Sequence, residues 1–262
     1  MKRHFLCCFA VLAMSILAVS AQERNNHSIK QGWYAGIRGE VPTGVCTFSS
    51  FGSGGNGIGW GGGVYVGRAL GGMLSAEVSA GIGHVGLSAR GCCVERGYWL
   101  GSDRVRYNAQ VVDLEGWSYD DLESSVSVMK FDARLNVNVL GLLAGPAGRA
   151  SSLNRWAVEI SPVLAATCSK ADIKAWVDGE NSARSRGNVI KADSKWNFGA
   201  GGCLQLCFSV TERVDVALYS ELLTLVGRRF DGLPKHQHGA NMLWNNGFKA
   251  AWTFGKESSV RK

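Results

Sequence analysis

Val126-Ser-Val-Met-Lys-Phe-Asp-Ala-Arg-Leu-Asn-Val-Asn-Val139 alternates two kinds of residue. Ser127, Met129, Phe131, Ala133, Leu135, Val137 and Val139 take one parity, and Lys130, Asp132, Arg134, Asn136 and Asn138 the other. A helix would spread those charges around its circumference, whereas a strand gathers them on one face. The segment therefore predicts a long β-strand with one apolar and one charged face.

The same period appears in segments 33–41, 60–70, 73–85, 155–167, 196–208, 214–226 and 244–254. Each has one apolar parity: Trp33, Ala35 and Ile37 oppose Tyr34, Arg38 and Glu40, and Leu74, Ala76 and Val78 oppose Ser75, Glu77 and Ser79. Pro162, inside 155–167, deletes a ladder donor and predicts a bulge there. Eight strands of this length are what a small membrane barrel needs. Composition agrees: 35 Gly, 9 Trp and no later helix-length apolar run point to an all-β chain. The expected fold is an eight-stranded antiparallel up-and-down transmembrane β-barrel over 22–254, with a short tail at 255–262.

Lys2 and Arg3, then the apolar run Phe5 to Val19, then Ala18-Val-Ser-Ala21 form a secretory signal pattern cleaved before Gln22. The run is shorter than the roughly 20 residues a spanning helix requires. Cys7 and Cys8 lie within it, too early for lipidation. Residues 1–21 are thus expected to be removed, which lowers the net charge from +7 to +5 through loss of Lys2 and Arg3. So small an excess, with no basic block, suits anionic lipopolysaccharide or loop solubility and disfavours nucleic acid.

The connections alternate as well. Leu70-Gly71-Gly72 and Thr211-Glu212-Arg213 are tight turns, while 48–59, 86–123, 168–195 and 227–243 are long links. Only 140–153 is a long connection at the short-turn end. Long loops at one end and short turns at the other is the outer-membrane arrangement, the long ones facing outside.

Alternation alone does not say which parity faces outward, since a soluble barrel would turn its apolar parity in around a ligand. The aromatic residues separate the two. Trp33, Trp156, Phe208, Trp252 and Phe254 fall at one end of their strands, and Trp60, Trp196 and Trp244 at the other, all on the apolar parity. Two belts are what two membrane interfaces demand. Arg38, Glu40, Glu77, Lys130, Asp132, Arg134, Glu159, Tyr219, Glu221 and Lys249, with Gln205, then line the lumen as a buried network of balanced sign. A barrel this narrow is expected to be plugged by its own side chains.

Trp196-Asn-Phe-Gly-Ala-Gly-Gly, the Thr211-Glu-Arg turn into Val214-Asp-Val-Ala-Leu-Tyr, and Gly247-Phe-Lys-Ala-Ala-Trp-Thr-Phe-Gly255 resemble the C-terminal half of the eight-stranded outer-membrane barrels of Gram-negative bacteria. That group includes OmpA- and OmpX-like barrels, and the style is similar to the porin-like barrels of Bacteroidetes. The resemblance covers essentially 22–254 and implies insertion by the barrel-assembly machinery, guided by the aromatic end of the last strand. Family members often stop at that aromatic, whereas here Gly255 to Lys262 follow, and the peptidoglycan-binding domain of larger relatives is not implied.

Motifs with chemical content are few. Gly57-Ile-Gly-Trp-Gly-Gly62 satisfies GxGxxG but lacks the flanking βαβ unit, so it reads as a glycine-rich loop. His236-Gln-His238-Gly-Ala-Asn241 is similar to the histidine stretch of outer-membrane lipid A deacylases, but no nucleophile aligns. The mature cysteines, 46, 92, 93, 168, 203 and 207, allow fifteen pairings. Cys203 and Cys207 lie about 13 Å apart on one strand, too far to bridge, and adjacent Cys92 and Cys93 at about 3.8 Å are too close. No spacing suggests zinc, and no metal or cofactor is expected. Loop 86–123, rich in Trp, Tyr and Arg, is the candidate surface for an extracellular ligand, or else a cap over the mouth. The expected function is a non-enzymatic outer-membrane barrel. The alternatives are an outer-membrane enzyme acting on lipid A or peptides, and a soluble barrel holding an apolar ligand.

Overall fold

The computed structural model describes residues 32–52, 57–71, 73–89, 122–144, 155–178, 184–191, 194–227, 230–233 and 241–254. The expected signal segment 1–21, the tail 255–262, Cys92, Cys93, the two-histidine stretch at 236–238 and most of loop 86–123 lie outside them.

Strands β1 (Trp33–Val45), β2 (Trp60–Ala69), β3 (Leu74–Ser88) and β4 (Leu122–Asn138) form a meander. A six-residue helix, α1 (Val139–Ala144), precedes β5 (Trp156–Asp178), β6 (Arg184–Lys191), β7 (Lys195–Ser209), β8 (Val214–Leu225) and β9 (Asn241–Phe254). β9 pairs antiparallel with β1 and β4 with β5, so the sheet closes on itself. The closed ring runs β1-β2-β3-β4-β5-β7-β8-β9, and closure removes the unpaired edges an open sheet would expose. β6 stands outside the ring. It pairs with β5 over Asp172–Asp178, beyond the point where β7 stops at Lys195.

At one end, the turn end, β7 and β8 are joined by a tight turn. Val210 N donates to Val214 O at 2.9 Å, and Thr211 Oγ1 accepts from the amides of Arg213 and Val214. This is the local hydroxyl–backbone pairing that threonine favours in turns.

Two sequence expectations require correction. The expected bulge at Pro162 is absent. The β4–β5 ladder skips Leu135 and Asn136 and resumes in the same register, Arg134↔Val163 then Val137↔Ile160. The missing N–H thus costs ladder bonds without displacing the strand, and Gly202 opposite on β7 presents no side chain to the ring. The described bulge lies instead between Ile173 and Lys174, where β5 meets β6. The second correction concerns 168–195, expected as a loop. Most of it is strand, because β5 continues for 23 residues and turns back as β6.

Candidate functional site

The strand pleat sets which side chains share a face, and in this barrel it puts charge inside and apolar side chains outside. Ile37, Val64, Ile82, Leu164, Phe198, Leu204, Leu218 and Phe248 are all more than half exposed, whereas Arg38, Glu77, Lys130, Asp132, Arg134, Glu221 and Lys249 are buried. A soluble barrel would show the reverse. Of the belt residues, Trp33 pairs in register with Phe254 at the turn end, and the Trp156 and Phe208 rings are 4.7 Å apart there, centroid to centroid. Trp60, Trp196 and Trp244 point outward near the opposite, loop end, and Trp196 stacks on Phe131. Trp252 is exposed on the same outward parity beside the turn. Arg68 also faces out at the turn end, its guanidinium 5.6 Å from the Trp33 ring.

Inside, the charged side chains converge from strands far apart in sequence. Arg134 Nη2 lies 2.7 Å from Asp132 and 2.9 Å from Glu221, and Arg134 Nε is 3.5 Å from Glu77. Arg38 Nη1 is 2.9 Å from Asp132. Lys130 Nζ bridges Glu221 at 2.7 Å and Glu40 at 3.3 Å, and Tyr219 donates its hydroxyl to Glu40 at 2.7 Å. Lys249 Nζ meets Glu77 at 2.6 Å and Gln205 at 3.1 Å, and lies 4.3 Å from the Tyr65 ring centroid. Four cations thus face four carboxylates. Balance of this kind is required, because an unpaired charge in so dry a place costs several kcal/mol.

Glu159 sits apart from this cluster, with Gln205 and Asn138 as its cross-strand neighbours. Polar partners missed in the charge reading complete the lower layer. Ser161 donates to Asn136 at 2.7 Å, Asn136 to Ser75 at 3.0 Å, and Asn245 to Glu221 at 2.8 Å. Their signal was present: all lie on the inward parity.

The loop-end half of the lumen is different. There the same inward parity carries Val85, Leu87, Leu122, Val126, Val128, Ile173, Leu223, Leu225 and Leu243, all buried. The expectation of a polar lumen throughout is therefore corrected to a polar half and an apolar half. Phe48, from the β1–β2 loop, and Phe230 and Leu233, from the β8–β9 loop, are completely buried on top. Gly232, at φ +88°, has the left-handed backbone that glycine favours, and a Cβ there would press on Ile173. Asp231 beside it is buried and accepts from the amides of Phe48 at 2.9 Å and Leu233 at 3.2 Å. Its own carbonyl accepts from Ser124 Oγ at 2.7 Å. Complete burial pushes the Asp231 carboxyl up to about 6, against the opposing pull of those amides. Cys203 and Cys207 face inward on β7 as free thiols, and Cys168 is a free thiol on the opposite parity of β5.

Gly57 to Gly62 runs directly into β2 with no helix after it. Among the described residues no helix is long and apolar enough to cross a membrane, and no cluster of His, Cys, Asp and Glu could hold a metal ion.

No protein-family model matches the chain, and no curated protein matches it by sequence. Among solved structures it is similar to Ail, the attachment invasion locus protein of Yersinia pestis, in complex with the heparin analogue sucrose octasulfate. That match has 10% identity over 86% of this chain and 99% of that one, with a TM-score of 0.44. It is also similar to a major outer membrane protein from Thermus thermophilus (12% identity, 84% and 99% covered, TM-score 0.43) and to Neisserial surface protein A (12%, 85% and 97%, 0.38). The class follows from the chain's own geometry. A closed ring of eight antiparallel strands, apolar without and charged within, is a transmembrane β-barrel.

Proposed function

We propose that this is a non-enzymatic outer-membrane barrel, closed to conduction, that acts through the loops it holds at the cell surface. Residues 1–21 direct export, the turn end with Trp33 and Phe254 faces the periplasm, and loop 86–123 faces outside. The two aromatic belts sit at the two interfaces, and the outward apolar side chains between them meet lipid. Insertion uses the barrel-assembly machinery, and lipopolysaccharide surrounds the loop end. Loop 86–123 is the surface offered to an extracellular ligand.

One observation carries the closed-barrel reading. The lumen is filled twice over, by a charge-balanced cluster below and by the Phe48, Phe230 and Leu233 cap above. An ion crossing it would have to break the first and enter the second, and the apolar half offers it no ligand. Two measurements test the proposal together. The refolded protein in a planar bilayer is expected to give no stepwise conductance, and steady open steps would sink the closed reading. An epitope placed within 86–123 should be labelled on intact cells, while one after Gly255 should need lysis. The reverse result would invert the orientation.

A further inference from the structure

The connection between β4 and β5 is the odd one at the turn end. Instead of a tight polar turn it begins with α1, Val139-Leu-Gly-Leu-Leu-Ala144, which has no acid in its first turn and no base in its last. A helix of six residues cannot sustain itself on backbone hydrogen bonds, since most of its amides and carbonyls are terminal. It needs a surface to lie on. Its principal neighbour in the barrel is β5, and Leu140 and Leu142 are nonetheless 37% and 55% exposed.

Position supplies the rest. Asn138 N donates to Met73 O at 2.8 Å, which pins the start of α1 level with the β2–β3 turn. α1 follows directly on Leu135 and Val137, the last outward residues of β4. β5, the strand it contacts, begins with Trp156 of the turn-end belt, whose ring meets Phe208 of β7, and Arg155 is exposed one residue before Trp156. The exposed leucines therefore extend the barrel's outward apolar band past its rim, and an exposed arginine precedes the strand that α1 contacts. An apolar helical turn beside an aromatic belt, with arginine at its margin, has the composition of a segment lying in a headgroup boundary.

We propose that α1 is a foot seated in the periplasmic leaflet of the membrane. Leu140 and Leu142 lie among the upper acyl chains of glycerophospholipid, and Arg155 lies at the phosphates. This rests on the orientation given above, and the test separates the two. Benzoylphenylalanine is placed at Leu142, and in a second strain at Leu204 in the middle of the outward band, and intact cells are irradiated. Both full-length proteins are then purified and their adducts weighed. The foot predicts a glycerophospholipid adduct at 142 together with a lipid adduct at 204. A protein adduct at 142, or none, with lipid still captured at 204, overturns the foot and leaves the barrel reading standing. Lipopolysaccharide captured at 142 overturns the orientation and the foot with it. Absence of lipid at 204 overturns the outward face of the barrel itself.

Discussion

The two halves of the lumen are lined by the same strands and the same parity, yet they are held together by opposite means. Below, Arg38, Lys130, Arg134 and Lys249 are locked to Glu40, Glu77, Asp132 and Glu221. Above, Leu122, Ile173, Leu223 and Leu225 close on Phe48, Phe230 and Leu233. A cavity of about 10 Å³ marks the junction, lined by Glu40, Lys130 and Asn245 on one side and by Val85, Val128 and Leu243 on the other. The lower half derives specificity from paired charge, in which each group depends on its partner being present. The upper half derives its hold from apolar area, strand side chains closed over by two loops, and it can open without breaking an ion pair. The lower half is thus the part whose integrity the barrel requires, and the upper half is a cap.

The comparison is most readily broken at Arg134. Arg134→Met strips a shared cation from Asp132 and Glu221 and should cost about 3–5 kcal/mol. Urea titration of the refolded protein in lipid vesicles would read it, and an unchanged midpoint would mean the charge cluster does not hold the barrel. Phe230→Ala should cost about 3 kcal/mol, confined to the cap. Amide exchange should then accelerate at Ser49 and Ser88, which bond each other's carbonyls, and stay slow at Glu77 and Arg134.

Asp231 gives the cap a pH dependence of its own. Its carboxyl titrates near 6 in the folded loop against an ordinary 3.8, so the folded state holds the proton more tightly than the unfolded one. The cap is therefore most stable below about pH 4 and weakens as pH rises through 6, by about 3 kcal/mol in total. Amide exchange at Phe48 and Leu233 between pH 4 and 7, corrected for intrinsic rates, should show that loss, and Asp231→Asn should flatten it. The smallest effect belongs outside the lumen. Leu204→Asp, on the outward face of β7, should cost on the order of 2 kcal/mol in a bilayer and much less in a loosely packed detergent micelle. Equal cost in both would mean the face does not meet lipid.

The eight strands of the ring and their inward parity are legible because alternation is local and a membrane barrel imposes it on every spanning strand. Legibility ends where the chemistry inverts. In 122–128 the inward residues become Leu122, Val126 and Val128 and the outward ones Glu123, Ser125 and Ser127. In 169–174 Ala171 and Ile173 turn in while Lys170, Asp172 and Lys174 turn out. A search for outward apolar residues passes over such segments, so it predicts β4 four residues short and a loop where the upper part of β5 and β6 stand. The cap is invisible for another reason: Phe48 and Phe230 are 182 residues apart in sequence, and neither lies on a strand.

By itself the sequence determined the all-β class, the eight-strand meander and which parity carries the charges, because side chains that alternate along a pleat need nothing but their neighbours in the chain. Which cation meets which carboxylate, where the lumen turns from charged to apolar, and that two loops seal it were decided only by closure. Ring closure brings β1 against β9 and sets the register across the lumen. Contacts between residues that far apart are a property of the folded ring, whose loop-closure entropy is offset only when the whole barrel forms.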